Sequence, residues 1–196
     1  MQADVSRETE EGLNYFADLV AKWTKRINLI SPSDDIRARH LLDSLQLAKL
    51  AGNPRIWVDL GSGGGFPAIP LAIQAKQSSD VTRFVLIESD QRKAVFLRTA
   101  IRDLGLNAEV INERIERVGP MNADVISARA LADLPQLLAY ASMIGRRNSR
   151  LLFMKGSSYR EEIRTAQERW SFDLAVIPSS TDEKAAILSI TDLSTR

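Results

Sequence analysis

The sequence contains no cysteine in 196 residues, which excludes disulfides, thiolate catalysis and any zinc site built on cysteine. A single histidine, His40, leaves too few imidazoles for a histidine-based metal centre, so no metal is expected. Charge of one sign is also missing: 26 lysines and arginines stand against 25 acids, a net charge of +1. A polyanionic partner would have to be met by a local basic patch rather than by the field of the whole molecule. No apolar run approaches the roughly 18 residues that a membrane span needs, and the opening MQADVSRETEEG is polar. The expectation is a cytoplasmic protein with no membrane association. Hydrophobic residues at 44% and charged residues at 26% fit one globular domain with a sizeable core.

What is present divides into two parts, residues 1–52 and residues 53–196. In the first part Leu13, Phe16, Val20, Trp23 and Ile27 are spaced three, four, three and four apart, the seam of an amphipathic helix ended by NLIS. Ser31, Pro32 and Asp34 then supply the cap, first-turn proline and first-turn acid of a second helix, which runs to about Leu50 and stops at Gly52. From Arg55 onward apolar strands (Ile56–Leu60, Phe84–Ile87, Ala108–Ile111, Val125–Ser127, Leu151–Met154) alternate with helical segments near Phe66–Lys76, Asp90–Leu104, Leu134–Ile144 and Ser158–Arg169. Gly105 and Gly145 stand where helix C-caps belong. Near-continuous apolar strands between helices predict a mostly parallel sheet covered on both faces. The last runs, Phe172–Ile177 and Ala185–Thr191, have no helix between them and predict an antiparallel hairpin at the sheet edge. The fold class is therefore α/β, doubly wound, with an N-terminal helical extension.

Ligands of such sheets bind beyond the carboxyl ends of the strands, where the strand order reverses. Three groups converge on that rim. The stretch WVDLGSGGGFPAIP puts Asp59 before a loop, Gly61–Gly65 with Ser62 in it, whose backbone N–H groups can face a ligand, and Phe66 follows. Glu88 ends the second strand 23 residues after Gly65, where a carboxylate can accept both hydroxyls of a ribose. NERIE, with Ile115 and Glu116, follows the third strand and is placed to border a base. Gly63 to Ala68 also matches the G-x-G-x-x-A dinucleotide fingerprint, a weak signal on its own. The register that begins at the strand end, Gly61-x-Gly63-x-Gly65, reaches the bulky Phe66 at its sixth position. Asp59 would repel a pyrophosphate and suits a ligand with an ammonium and a sulfonium. S-adenosylmethionine is favoured over a nicotinamide dinucleotide, and an NAD-binding oxidoreductase stays as the alternative.

Several separated motifs resemble the RsmG (GidB) methyltransferases: KWTKRINLIS at Lys22–Ser31, RHLLDSL at Arg39–Leu45, DLGSGGGFPAIPLAI at Asp59–Ile73, ARA at Ala128–Ala130 and FMKG at Phe153–Gly156. Ala68 stands where that family usually carries glycine. The resemblance implies a seven-stranded methyltransferase fold of the class I, Rossmann-like type, with S-adenosylmethionine as donor. It also implies one guanosine of 16S ribosomal RNA as acceptor, made into 7-methylguanosine. Guanine N7 carries a lone pair in the ring plane and loses no proton on methylation, so the reaction needs no cysteine, metal or histidine base. An arginine forked onto O6 and N7 would block the nucleophile. Arginines here are therefore expected on O6, on phosphate or on the donor's carboxylate.

Arg129, after the fourth strand, is the expected substrate or donor contact, with pairing to Asp133 as the competing role. Lys155, at the end of the fifth strand, is a phosphate-binding candidate. His40 beside Arg39 is expected at the acceptor mouth, although a lone histidine is often structural, and Asp43 is placed to pair with Arg39. Lys22, Lys25, Arg26, Arg37 and Arg39 form one candidate RNA patch, and Arg146, Arg147 and Arg150 another. Near-neutral charge favours a folded small-subunit particle over naked RNA as the partner. A methyltransferase of a protein or small molecule would keep the glycine loop and Glu88 but leave the basic patches idle. A non-catalytic RNA-binding module would need neither.

Overall fold

Four apolar runs, β1 (Ile56–Leu60), β2 (Arg83–Ile87), β3 (Ala108–Ile111) and β4 (Ala123–Arg129), lie side by side as parallel strands. They are the centre of a computed structural model that describes residues 6–31, 35–78 and 81–196. β5 (Gly145–Lys155) continues the parallel half beside β4. β6 (Trp170–Pro178) and β7 (Ala186–Thr195) form the antiparallel hairpin, with β7 inserted next to β5. The seven strands are ordered β3-β2-β1-β4-β5-β7-β6. The order turns back between β1 and β4, and that reversal fixes where a ligand site can open.

Alternate strand residues face opposite layers. Trp57, Phe84, Leu86, Val125 and Leu152 meet α1 (Arg7–Thr24), α4 (Ala68–Gln77) and α5 (Gln91–Leu104) on one face. Val58, Leu60, Val85, Ile87 and Ile126 meet α6 (Leu134–Ile144) and α7 (Tyr159–Gln167) on the other. The caps are local: Ser6, Asp90 and Asp133 accept backbone N–H groups at the starts of α1, α5 and α6. Gly105 closes α5 in the left-handed region, φ 59°. Among the described residues no helix is long and apolar enough to cross a membrane.

α1 is tied to the sheet by the predicted seam. Leu13, Phe16 and Val20 are buried, Phe16 lies 5.3 Å from the Phe66 ring, and Trp23 meets Phe96 edge-on at 5.6 Å. Trp23 is thus a packing residue, as its spacing predicts. The start expected at Pro32 and Asp34 lies outside the described residues. The following segment differs from one helix to Leu50: a π-helical turn (Ile36–Leu41) leads into α2 (Leu42–Gln46) and α3 (Ala48–Ala51). The Ser44 hydroxyl donates to the His40 carbonyl at 2.6 Å, a side-chain bond that competes with the helical ladder and bends it.

β5 starts six residues earlier than its apolar run. Its polar first half, GRRNSR, is held by Ser149, whose hydroxyl donates to the Ala123 carbonyl at 2.7 Å and accepts the Arg146 N–H at 2.8 Å. Gly145 follows α6 with extended backbone, not a left-handed cap. A Cβ there would stand 2.7 Å from Ser149 Oγ, so close packing is what requires glycine.

Candidate active site

The parallel strands end on a cavity of about 790 Å³ that opens where the order reverses. That is ample for a nucleoside-sized ligand with an acceptor group beside it. The turn after β1 supplies its floor, and its glycines do different things. Gly61, Gly63 and Gly65 all have positive φ (60°, 48° and 85°). A Cβ on Gly65 would strike Ile69 at 2.8 Å and Phe16 at 3.0 Å, so this glycine lets α1 close on the loop. One on Gly64 would press the Leu29 carbonyl at 3.1 Å. One on Gly63 would meet nothing nearer than the Gly61 carbonyl at 3.7 Å, and Gly63 lines the cavity. Of the loop glycines, Gly63 is the one whose missing side chain leaves room above the backbone.

Glu88 arrives from β2, buried at the cavity wall. Its Oε2 accepts the Gly63 N–H at 2.8 Å and its Oε1 the Asp90 N–H at 2.7 Å. Each carboxylate oxygen keeps a second lone pair for a ligand hydroxyl. Asn112 donates to the Glu88 carbonyl at 2.7 Å and fixes the same corner. Asp59 lies under the loop, 1% exposed and off the cavity wall. Its Oδ1 accepts from Ser127 at 2.6 Å, and Ser127 accepts the Trp57 indole N–H at 2.8 Å. Oδ2 has no hydrogen-bond partner among the described residues. Burial lifts this carboxyl to about 7, against the Ser127 hydroxyl that pulls it down.

Ile115 and Glu116 line the wall on the β3 side, as expected of NERIE. No spacing in the sequence points to the partner of Glu116, Tyr140 on α6, whose hydroxyl donates to Glu116 Oε1 at 2.8 Å. Glu116 is held below the usual carboxylate range by its own backbone N–H and by Tyr140.

The opposite wall gathers His40, Arg39, Arg129 and Lys155. The His40 ring lies 5.0 Å from the Phe66 ring, so it covers the end of the glycine loop. Arg39 faces Asp182 in the β6–β7 turn at 3.7 Å. Asp43 does not take up the role of Arg39's partner expected from helical spacing. Its Oδ1 accepts from Thr181 (2.6 Å), Ser179 (2.9 Å) and Gln46 (3.0 Å), pinning the hairpin turn to α2. Arg129 ends β4 on the cavity wall and is followed by Ala130 at φ 50°. Asp133, its suggested rival partner, caps α6 through the Gln136 N–H. Lys155 is not a free phosphate ligand: Glu162 and the Ala132 carbonyl hold it.

The basic residues fall at two ends. Lys22, Lys25 and Arg26 are exposed at the end of α1, just before Leu29, which lines the cavity. Arg146 and Arg147 follow Gly145 at the start of β5, where Gly145 pairs with Ala123, at the other end of the strand from Lys155. Arg146 pairs with Asp124 there, and Arg150 donates to the Leu50 carbonyl. This second patch lies at the end of the sheet away from the cavity.

A sheet of this order, with a glycine loop and a carboxylate at successive strand ends, defines the α/β fold of the class I methyltransferases. Solved structures share that fold. An O-methyltransferase from Bacillus cereus, solved in complex with SAH, aligns with TM-score 0.63 at 19% identity over 92% of this chain and 90% of its own. TYW2 from M. jannaschii, solved with AdoMet, aligns at 0.63 and 15% over 88% and 80%. Sequence narrows the class. Residues 9–188 match the GidB family, described as rRNA small subunit methyltransferase G, and the chain belongs to that family. It is 53% identical over 192 residues to the ribosomal RNA small subunit methyltransferase G of Cereibacter sphaeroides, covering 96% of this chain and 93% of that one. To the ribosomal RNA small subunit methyltransferase G of Ruegeria pomeroyi it is 46% identical over 190 residues, with the same coverage.

Proposed function

We propose that this chain is an S-adenosylmethionine-dependent methyltransferase that forms 7-methylguanosine at one guanosine of small-subunit (16S) ribosomal RNA, presented in a folded particle. The observation that carries the reading is the joined corner of Gly63 and Glu88: an open backbone and a buried carboxylate on one rim, in a chain of this family. The residues present fit the donor. Glu88 has lone pairs left for a ribose diol, Gly63 leaves space over its backbone, and the unpartnered Asp59 Oδ2 lies beneath the loop as a site of negative potential for a cationic ligand. Bound there, S-adenosylmethionine would supply a sulfonium methyl to the guanine N7 lone pair, the S–CH3 bond breaking as the N–CH3 bond forms and no proton being released.

The chain's own part is placement and exclusion of water. Ile115, with Glu116 held by Tyr140, borders the base of the donor. Phe66 and His40 cover the loop on the acceptor side, and Arg129 is positioned to contact substrate or the donor's carboxylate. N7 methylation releases no proton and so needs no protein base. The carboxyl best tuned for one, Asp59, sits under the loop and off the cavity wall. Lys25 and Arg26, at the end of α1, are assigned to RNA phosphate together with Arg39.

The test is a methylation assay with purified protein, S-adenosylmethionine carrying a labelled methyl, and small-subunit RNA offered free or in isolated particles. The digested RNA is then read by mass spectrometry. Label in 7-methylguanosine, stronger with particles, is expected. Label in another nucleoside, or in none, would overturn the reading.

A further inference from the structure

On the acceptor wall of the cavity, Lys155 and Glu162 form an ion pair that the reading above leaves without a role. Lys155 Nζ stands 2.5 Å from Glu162 Oε2, with the side chains only 9% and 15% exposed. Both residues line the cavity. Lys155 also donates to the Ala132 carbonyl at 2.7 Å, and Glu162 accepts the Leu134 N–H at 2.9 Å and the Ser158 hydroxyl at 2.6 Å. Burial pushes the Glu162 carboxyl up, but Lys155 and Ser158 outweigh it and hold it below its ordinary range, so this carboxyl stays ionised. Together the two clamp the segment after Arg129, whose Leu131 lies directly over Gly61.

A clamp alone could be built from neutral groups. The charge matters because of what shares the cavity. If the donor is S-adenosylmethionine, as proposed above, it brings a sulfonium, and methylation at N7 moves that positive charge onto the purine. An uncompensated ammonium on the wall would oppose both. Leu60 pairs with Ala128 and Ala128 with Phe153, so the end of β5 stands two strand spacings, roughly 10 Å, from the glycine loop. Across that distance inside a protein, one unit charge changes the affinity for another roughly tenfold.

We propose that Glu162 neutralises Lys155 so that a cationic donor, and a base that becomes cationic, can occupy the cavity beside this clamp. Glu162 acts through Lys155 and not by touching the ligand, so it is a positioning residue that sets the cavity's charge. The inference rests on the donor reading of the preceding section.

The experiment is calorimetric binding of S-adenosylmethionine and of its uncharged product, S-adenosylhomocysteine, at pH 7.5. The proteins are the wild type, Glu162→Gln, Lys155→Met and the double variant, each checked for folding by circular dichroism. Glu162→Gln exposes the ammonium and lowers the donor-to-product affinity ratio roughly tenfold. Lys155→Met exposes the carboxylate and raises the same ratio. The double variant returns it to the wild-type value. A purely mechanical clamp would weaken both ligands alike in both single variants, and that result, or a ratio unchanged throughout, overturns the proposal. Should the wild type bind neither ligand, the donor reading itself falls and takes this inference with it. Opposite shifts in the two single variants distinguish a charge effect from misfolding, which has no reason to change sign.

Discussion

The Gly63 backbone N–H donates to Glu88 Oε2 at 2.8 Å, joining the loop after β1 to the carboxylate after β2. Glu88 therefore shapes the loop, and in the function proposed above it also meets a ligand diol. Glu88→Ala removes the acceptor of both Gly63 and Asp90 N–H groups. A loss of about 2 kcal/mol in unfolding free energy is expected by urea titration, with donor affinity falling at least tenfold. Unchanged affinity in a destabilised variant would leave Glu88 a purely structural residue.

Gly63 leaves open space above the loop, whereas Gly65 makes room for the core. Gly63→Val places a Cβ in ordinary contact with the Gly61 carbonyl at 3.7 Å and within 4 Å of no other atom beyond its chain neighbours. The expected protein is folded and monodisperse, somewhat destabilised by the positive φ, and silent in calorimetry with S-adenosylhomocysteine. Gly65→Val drives the side chain into Ile69, Phe16 and Leu97. It should lose about 3 kcal/mol or more of stability through overpacking and backbone strain.

Asp59 gives the molecule a pH signature. Its folded-state pKa of about 7 stands above the ordinary 3.8, chiefly through burial. Between those values the folded chain keeps a proton that the unfolded chain releases. The stability this group contributes is full below about pH 4, drains as pH rises, and is gone above pH 7, a swing on the order of 4 kcal/mol. Asp59→Asn removes the dependence, so its stability relative to wild type should rise from pH 5 to pH 8 in chemical denaturation. A cation bound above the carboxylate favours ionisation. Wild-type affinity for S-adenosylmethionine should therefore increase from pH 6 to pH 8, with the slope absent in the variant.

Much of this arrangement was legible in the sequence, for identifiable reasons. The strands β1 to β4 are apolar runs bounded by turn residues, and Asp59, Gly63 and Glu88 sit at their ends, where order along the chain fixes order on the rim. The first half of β5 was not legible. GRRNSR has no apolar alternation, and it joins the sheet through Gly145 beside Ala123 and Arg150 beside Val125, with a break in register between them and Ser149 reaching Ala123. The bends in residues 36–51 depend on a side-chain bond from Ser44 that no periodicity encodes. Partners distant in the chain were equally hidden, including Tyr140 with Glu116, Asp43 with Ser179 and Thr181, and Lys155 with Ala132. Helical spacing offered Asp43 to Arg39, and the β6–β7 turn claimed it instead.

The two basic patches make different predictions because they stand at opposite ends of the sheet. Arg26→Glu, near the cavity mouth, should weaken particle methylation several-fold, and the loss should grow smaller at high salt. Arg146→Glu replaces the partner of Asp124 with a like charge far from the cavity. It should reduce thermal stability while leaving methylation per folded molecule within twofold of wild type. Equal losses of methylation from both variants would extend the RNA footprint to the far end.

The product, 7-methylguanosine, is read most directly in cellular RNA. Small-subunit ribosomal RNA from cells lacking this protein is digested and its 7-methylguanosine quantified by mass spectrometry against the parent strain. The expected result is the loss of one 7-methylguanosine per small-subunit RNA, restored by the wild-type chain and not by Gly63→Val. An unchanged 7-methylguanosine level would contradict it and direct the search to another acceptor.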